Sequence, residues 1–180
     1  MNRMDRVLLI DITEELAVSR DDQLGIAQLA QFETVDEKFF DFHFNVNLKG
    51  TFFTVQKALP QLNNGASIIL TGPIASIKRF PDMNVYSATK AAIHSFARNW
   101  SNELRGRRIS VNRLSPGHID TPICDTWQKG DALVKLKEEL AKNVPLERLG
   151  DPDEIAKAPP FLASDEVSYT RELNSSSMAE

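Results

Sequence analysis

The sequence predicts an α/β fold with a parallel sheet, and three stretches carry that expectation. Ser67-Ile68-Ile69-Leu70-Thr71-Gly72 is a short apolar run closed by glycine, the pattern of a strand buried on both faces. Ile109-Ser110-Val111-Asn112-Arg113-Leu114-Ser115 is a second such run, closed by Pro116-Gly117. Between them Ala88, Ala91, Ala92, Phe96, Ala97, Trp100 and Leu104 recur at helical spacing on one broad apolar face, while Arg98, Glu103 and Arg105 supply polar character. Strand, helix and strand in that order form a right-handed crossover, and sheets of this kind bind ligands beyond the carboxyl ends of their strands. Tyr86 and the Pro116-Gly117 turn fall near those ends.

The remaining elements are read in chain order. Val7-Leu8-Leu9-Ile10-Asp11 is a candidate strand ending in an acid. Between residues 125 and 142, Trp127, Leu133, Leu136 and Leu140 stand at roughly helical intervals with charges between them, as in an amphipathic helix that covers the core. Asp151 as N-cap, Pro152 at the first helical position and Glu154 three residues after the cap start a further helix correctly. Pro159-Pro160 then break or kink it, because an interior proline costs about 3 kcal/mol or more. The polar tail ending in Asn174-Ser175-Ser176-Ser177-Met178-Ala179-Glu180 is expected to be disordered.

Composition bounds the function. At 180 residues, 42% hydrophobic and 26% charged, the chain is one ordinary globular domain with a working core. A net charge of −4 argues against a nucleic-acid surface. The tightest basic group, Arg105, Arg107 and Arg108, sits at a helix end, where cations complement the dipole. A lone Cys124 gives no internal disulfide and no zinc set, and His43, His94 and His118 lack ligand spacing, so no metal is expected. His118 lies inside the 116–121 loop and is read as an ordinary loop histidine. No apolar run approaches the length of a membrane span and no signal-peptide pattern opens the chain, so a cytoplasmic protein is expected.

Chemistry enters at Val85-Tyr86-Ser87-Ala88-Thr89-Lys90-Ala91-Ala92. A phenol and an ammonium four positions apart share one helical face. A fixed cation favours phenolate over phenol and draws the tyrosine toward the range where it exchanges protons near neutrality. With the flanking strands this segment resembles the short-chain dehydrogenase/reductase family, in its branch with a single Rossmann domain. Asn47-Leu48-Lys49-Gly50 and the residues up to 59 resemble the family's Asn-containing helix, Tyr86 and Lys90 its YxxxK, and Asn112 with Ser115-Pro116-Gly117 its turn after the next strand. Pro145-Leu146-Glu147-Arg148-Leu149-Gly150, Asp153-Glu154-Ile155-Ala156 and Phe161-Leu162-Ala163-Ser164 resemble its later loop and helix.

The resemblance covers roughly residues 25–165 and implies an incomplete Rossmann-like, doubly wound parallel sheet: a divergent segment at 1–24, a partial core at 25–168 and a tail at 169–180. It implies NAD or NADP as cofactor and a small carbonyl or alcohol as substrate, with no nucleic acid or membrane partner and a homo-oligomeric state. Tyr86 would exchange the proton with the substrate oxygen. Lys90 would lower the tyrosine pKa and hold the nicotinamide ribose, and Asn47 would support a water chain. Pro116, Gly117, Ile119 and Thr121 would surround the nicotinamide carboxamide and phosphates, and 125–142 would be a lid.

Departures from the family pattern cluster at the cofactor's other half. Residues 1–24 hold no Gly-rich phosphate turn, and Gln23-Leu24-Gly25 stands where the family has Asn-Ala-Gly. Asp11-Ile12-Thr13 is only faintly like the family's adenine-contacting acid. Thirteen positions before Tyr86, where the family places a serine that polarises the substrate oxygen, the chain has Pro73, which has neither hydroxyl nor N–H; Ser76 is nearby but shifted. The expectation is therefore an oxidoreductase relative, truncated and with impaired or no activity. The alternatives are a noncatalytic member acting through the helices that form family dimers, and an enzyme with unusual cofactor binding.

Overall fold

Two fully buried strands form the centre of the molecule, which we describe from a computed structural model over residues 7–10, 26–72, 80–167 and 174–176. Strand β2 (Ser67–Thr71) pairs in parallel with β3 (Ser110–Ser115), from Ser67 opposite Ser110 to Thr71 opposite Leu114. Strand β1 (Val7–Ile10) adds in parallel outside β2, and β4 (Asn174–Ser176) outside β3, giving the order β1-β2-β3-β4.

Side chains alternate across this sheet, and β2 and β3 bury both faces. Ile68, Leu70 and Val111 meet Val55 of helix α2 (Thr51–Ala58) and Ile93 and Ala97 of helix α3 (Asn84–Glu103). Ile69 and Leu114 meet Leu162 and Ala163 of helix α7 (Ala158–Ala163) on the opposite face. Helices on both faces of a parallel sheet make an incomplete doubly wound α/β fold, as the strand pattern predicts.

Helix α3 is present, but rolled relative to its expected face. Its buried stripe is Val85, Thr89, Ile93, Ala97 and Ser101, joined by Lys90 and His94, whereas Ala88 and Ala91 are exposed. Phe96 and Trp100 stack at 4.8 Å and, with Phe52, form a half-buried aromatic shoulder beside the core. Large aromatics dominate a hydrophobicity pattern, and alanine side chains carry little information about which way a helix faces.

The prolines act as expected. The helix stops at Ala156, turns at Lys157 and restarts as α7, whose first turn holds Pro159 and Pro160, where a missing N–H leaves no helical bond unmade. Helix α6 (Pro152–Ala156) opens with the expected capping box: Asp151 accepts from the Asp153 N–H at 2.8 Å, and Glu154 accepts from the Asp151 N–H at 2.8 Å. Arg148 grips the same Glu154 carboxylate with two bonds of 2.7 Å and, with the Asp151 N–H, holds its pKa at about 2.

Three expectations need correction. Disorder of the tail fails for Asn174–Ser176, which forms β4; the open edge of β3 supplies backbone partners whatever the side chains are, and the other tail residues lie outside the described set. Arg107 does not serve its own helix end: its guanidinium donates to the Leu59 carbonyl at 2.9 Å and to the Leu62 carbonyl, capping the turn that follows α2. The 125–142 segment is two helices, α4 (Ile123–Trp127) and α5 (Asp131–Lys142), separated by Gly130 at φ 59° and ψ −139°, a backbone state that favours glycine.

Where α3 crosses the end of β2, His94 is wedged against Gly72. A Cβ at position 72 would come within 2.7 Å of His94 Nε2, with Arg113 Cδ at 3.5 Å. Gly72→Ala is expected to cost about 1–3 kcal/mol through overpacking, read as a lower urea midpoint, and His94→Ala in the same chain should return part of it. Burial first, then the neighbouring Arg113 charge, pushes the His94 pKa down to about 4 from 6.5. The unfolded chain therefore takes up the proton first as pH falls, so stability present above pH 6.5 is lost progressively between 6.5 and 4. Denaturant titrations at pH 7.5 and 4.5 should show the wild type losing at most about 2.5 kcal/mol more than His94→Gln. Equal losses would remove His94 as the cause.

Candidate active site

Tyr86 and Lys90 occupy the first two turns of α3, which begins at the carboxyl end of the sheet. The Lys90 ammonium lies 5.6 Å from the centre of the Tyr86 ring, and Lys90 is only 2% exposed. An ammonium taken out of water beside a phenol is a strong local source of positive potential, because little solvent remains to screen it. The expected pair is thus assembled.

The third predicted residue, Asn47, is fully buried within a π-helical segment, Phe44–Gly50, between α1 (Glu37–His43) and α2. Wide turns of this kind are frequent at functional sites. The Asn47 Oδ1 accepts from the Ile26 N–H at 2.9 Å, while Nδ2 donates to the Ile26 carbonyl at 2.9 Å and to Thr89 Oγ1 at 3.2 Å. Thr89 in turn donates to the Tyr86 carbonyl at 2.7 Å. One amide therefore ties the chain at Ile26 to the turn of α3 that carries Tyr86 and Lys90. The backbone carbonyl of Asn47 is also engaged, by Thr51 Oγ1 at 2.7 Å.

Residues 26–30 form an extended strap held by partners outside any sheet ladder. Besides the two Asn47 bonds, the Gln28 N–H donates to His43 Nε2 at 3.3 Å, so the imidazole proton sits on Nδ1, which donates to the Phe39 carbonyl at 2.9 Å. Burial lowers the His43 pKa and keeps the ring neutral in that role. The Ala30 N–H donates to the Asp82 carbonyl at 2.9 Å, and Trp127 Nε1 of α4 donates to the Ala27 carbonyl at 2.7 Å.

The predicted cofactor loop leaves β3 at the same end of the sheet. Its middle is pinned to the turn before α6: the Gly150 N–H donates to the His118 carbonyl and the Asp120 N–H to the Gly150 carbonyl, each at 2.9 Å, with Ile119 opposite Gly150. A Cβ on Gly150 would lie 2.6 Å from Ile119 Cδ1, so glycine permits this approach. The His118 ring meets Phe80 edge-on at 5.5 Å, joining this loop to the segment that leads into α3. Lys137 of α5 pairs with Asp120 at 2.6 Å.

The structure thus brings together Tyr86, Lys90 and Asn47, and sets Pro116, Gly117, Ile119 and Thr121 on the adjoining loop. Pro73 and Ser76, the Asp11-Ile12-Thr13 match and Gln23-Leu24-Gly25 lie outside the described residues. Thr89, His43 and Trp127 are contributors that the sequence reading missed. Thr89 sits inside the YxxxK motif, whereas His43 and Trp127 act over 15 and 100 positions and leave no local pattern. Among the described residues no group of His, Cys, Asp and Glu could hold a metal, and no helix is long and apolar enough to cross a membrane.

Comparison with known proteins gives one answer. A family profile described as enoyl-(acyl carrier protein) reductase matches residues 22–172. Oxidoreductase asL5 of Sarocladium schorii is 42% identical over 131 residues, 72% of this chain and 51% of that protein. The 3-oxoacyl-acyl-carrier-protein reductase FabG of Thermotoga maritima is 35% identical over 147 residues, 81% of this chain and 58% of that protein. The chain therefore spans between about half and three-fifths of these relatives. Among solved structures, the angucycline C-6 ketoreductase LanV with bound NADP aligns at a TM-score of 0.78 and 26% identity, covering 93% of this chain and 59% of that one. A short-chain dehydrogenase/reductase from Brucella melitensis aligns at 0.78 and 30%, covering 93% and 61%. With its Tyr-Lys pair, buried asparagine and parallel sheet, the chain belongs to the short-chain dehydrogenase/reductase family.

Proposed function

We propose that this chain carries the proton-transfer half of an NAD(P)-dependent oxidoreductase acting on a carbonyl or alcohol, with impaired or no turnover by itself. The observation that carries the reading is the Tyr86–Lys90 pair, with the lysine buried and the turn braced through Thr89 to Asn47. The residues fit the nicotinamide end: a buried ammonium beside the phenol suits ribose hydroxyls, and the 116–121 loop is pinned at its middle by Gly150. When bound, the nicotinamide would supply or take up the hydride. Tyr86 would give its phenolic proton to the carbonyl oxygen, or take one from an alcohol, and Lys90 would stabilise the phenolate. Asn47, whose amide is committed to Ile26 and Thr89, holds the turn that aims Tyr86; the water-chain role is left to its surroundings.

Pro73 removes a donor at the substrate oxygen, and loss of such a donor costs about a hundredfold or more in rate. The sequence also lacks a Gly-rich phosphate turn. Calorimetric titration of NADH and NADPH into the folded, monodisperse chain is therefore expected to show no saturable binding below about 1 mM. Saturable micromolar binding would overturn the impairment; in that case Tyr86→Phe should lower turnover about 10²–10⁴-fold in a carbonyl screen, with Pro73→Ser raising it.

A second reading, a family member working through protein contacts of its α2 and α3 helices, is favoured by the aromatic shoulder. Phe53 is 42% exposed and edge-on to Phe52, which itself lies beside the Phe96–Trp100 stack. If this surface pairs two copies, sedimentation should give a dimer that Phe53→Lys converts to monomer at unchanged circular dichroism. A wild-type monomer at about 100 μM would exclude such an interface as a stable one.

A further inference from the structure

We propose that Trp127 is a positioning residue: its indole N–H latches helix α4 to the strap at Ala27, so that opening of the α4–α5 lid and loosening of the Asn47 network are a single event. The geometry is consecutive along the chain. Asn47 holds both backbone groups of Ile26, and the next carbonyl, that of Ala27, is the one that accepts from Trp127 at 2.7 Å. Freeing Ile26 therefore disturbs the acceptor of the latch, and losing the latch removes one of the bonds that hold the strap beside those of Asn47, His43 and Asp82.

Among the described residues, α4 is anchored by buried Cys124 while α5 has only shallow ties. No residue of α5 is fully buried, Leu133, Leu136 and Leu140 are only partly covered, and Val134 is exposed. Its ion pair to Asp120 joins two partly exposed groups and is worth little in water. Gly130, in its glycine-favouring conformation, joins the two lid helices and leaves α5 a joint about which to swing. The role of Trp127 in aiming Tyr86 rests on the reductase reading, but the latch does not and is tested without cofactor or substrate.

Cys124, the sole cysteine, lies buried in α4 one turn before Trp127 and reports on the latch directly. Labelling of its thiol by 5,5′-dithiobis(2-nitrobenzoate), far below the urea midpoint, reads local opening. Trp127→Phe keeps the ring and deletes the N–H, and should raise the labelling rate about tenfold. Asn47→Ala, or the milder Asn47→Asp if that chain does not fold, should raise it as well, although Asn47 does not touch α4; the double variant should fall short of the product of the two effects. In a Trp100→Phe background, where Trp127 is the remaining tryptophan, the Asn47 variant should also shift its emission to the red. Two results would sink the proposal. One is labelling of Trp127→Phe no faster than wild type. The other is an Asn47 effect that rises with urea as global unfolding does, with Trp127 emission unchanged.

Discussion

The buried amide of Asn47 is the constraint on which the site depends. A polar side chain with no exposed surface costs several kcal/mol unless its bonds are made, and here Nδ2 spends both protons and Oδ1 accepts. Those partners come from Ile26 and Thr89, 21 positions before it and 42 after it. The fold cannot satisfy this amide without bringing the strap, the π-helical segment and the first turns of α3 to one place. Site geometry is thus enforced by polar satisfaction, while the aliphatic core behind it sets only which faces meet. The widened turn fits this role, since an α-helix carrying a side chain committed on three sides must adapt its own backbone.

What was legible in the sequence follows from which forces are local. Strands β2 and β3 announce themselves because burial on both faces makes them nearly continuous apolar runs, and the α6 cap is legible because Asp151, Pro152 and Glu154 each act within one turn. The Tyr86–Lys90 pair is legible for the same reason. The roll of α3 was not, because its true core stripe contains Thr89, Lys90, His94 and Ser101, all polar. Those residues are buried by what they bond to or pack against. The bonds of His43 to the strap and of Trp127 to Ala27 lie beyond any periodicity, since backbone carbonyls and N–H groups are present at every position. β4 was missed for a related reason, as edge pairing recruits backbone and is nearly blind to side-chain polarity.

The architecture separates two tasks that a complete dinucleotide enzyme combines. The groups proposed to handle protons, Tyr86 and Lys90, belong to α3, in one crossover unit with β2 and β3 that shares a core of Ile68, Leu70, Ile93 and Val111. Phosphate binding in doubly wound folds comes from a different crossover, at a glycine-rich turn whose helix N-terminus meets the anion. Nothing in the packing of the first unit requires the second. The turn that carries Tyr86 and Lys90 is therefore braced by contacts of this chain alone, which spans about half to three-fifths of its relatives' length.

That separation changes what the departures from the family pattern mean. Pro159-Pro160 look like damage in the sequence, yet the chain seats both in the first turn of α7, and Leu162 and Ala163 still pack on Ile69 and Leu114. The doublet is absorbed by one extra turn at Lys157 and says little about lost function. Pro73 differs in kind, because its departure is chemical: a proline side chain has no proton to donate, whatever its setting. Meanwhile Lys90 places its side chain where only 2% of the residue is exposed, a setting in which an ammonium is costly unless its surroundings favour it. Under the proposed function, a lysine side chain held 5.6 Å from the centre of the Tyr86 ring would supply the electrostatics of proton transfer even without the donor at position 73. On the same reading, the balance between the Pro73 and Lys90 side chains, more than the overall fold, would decide turnover.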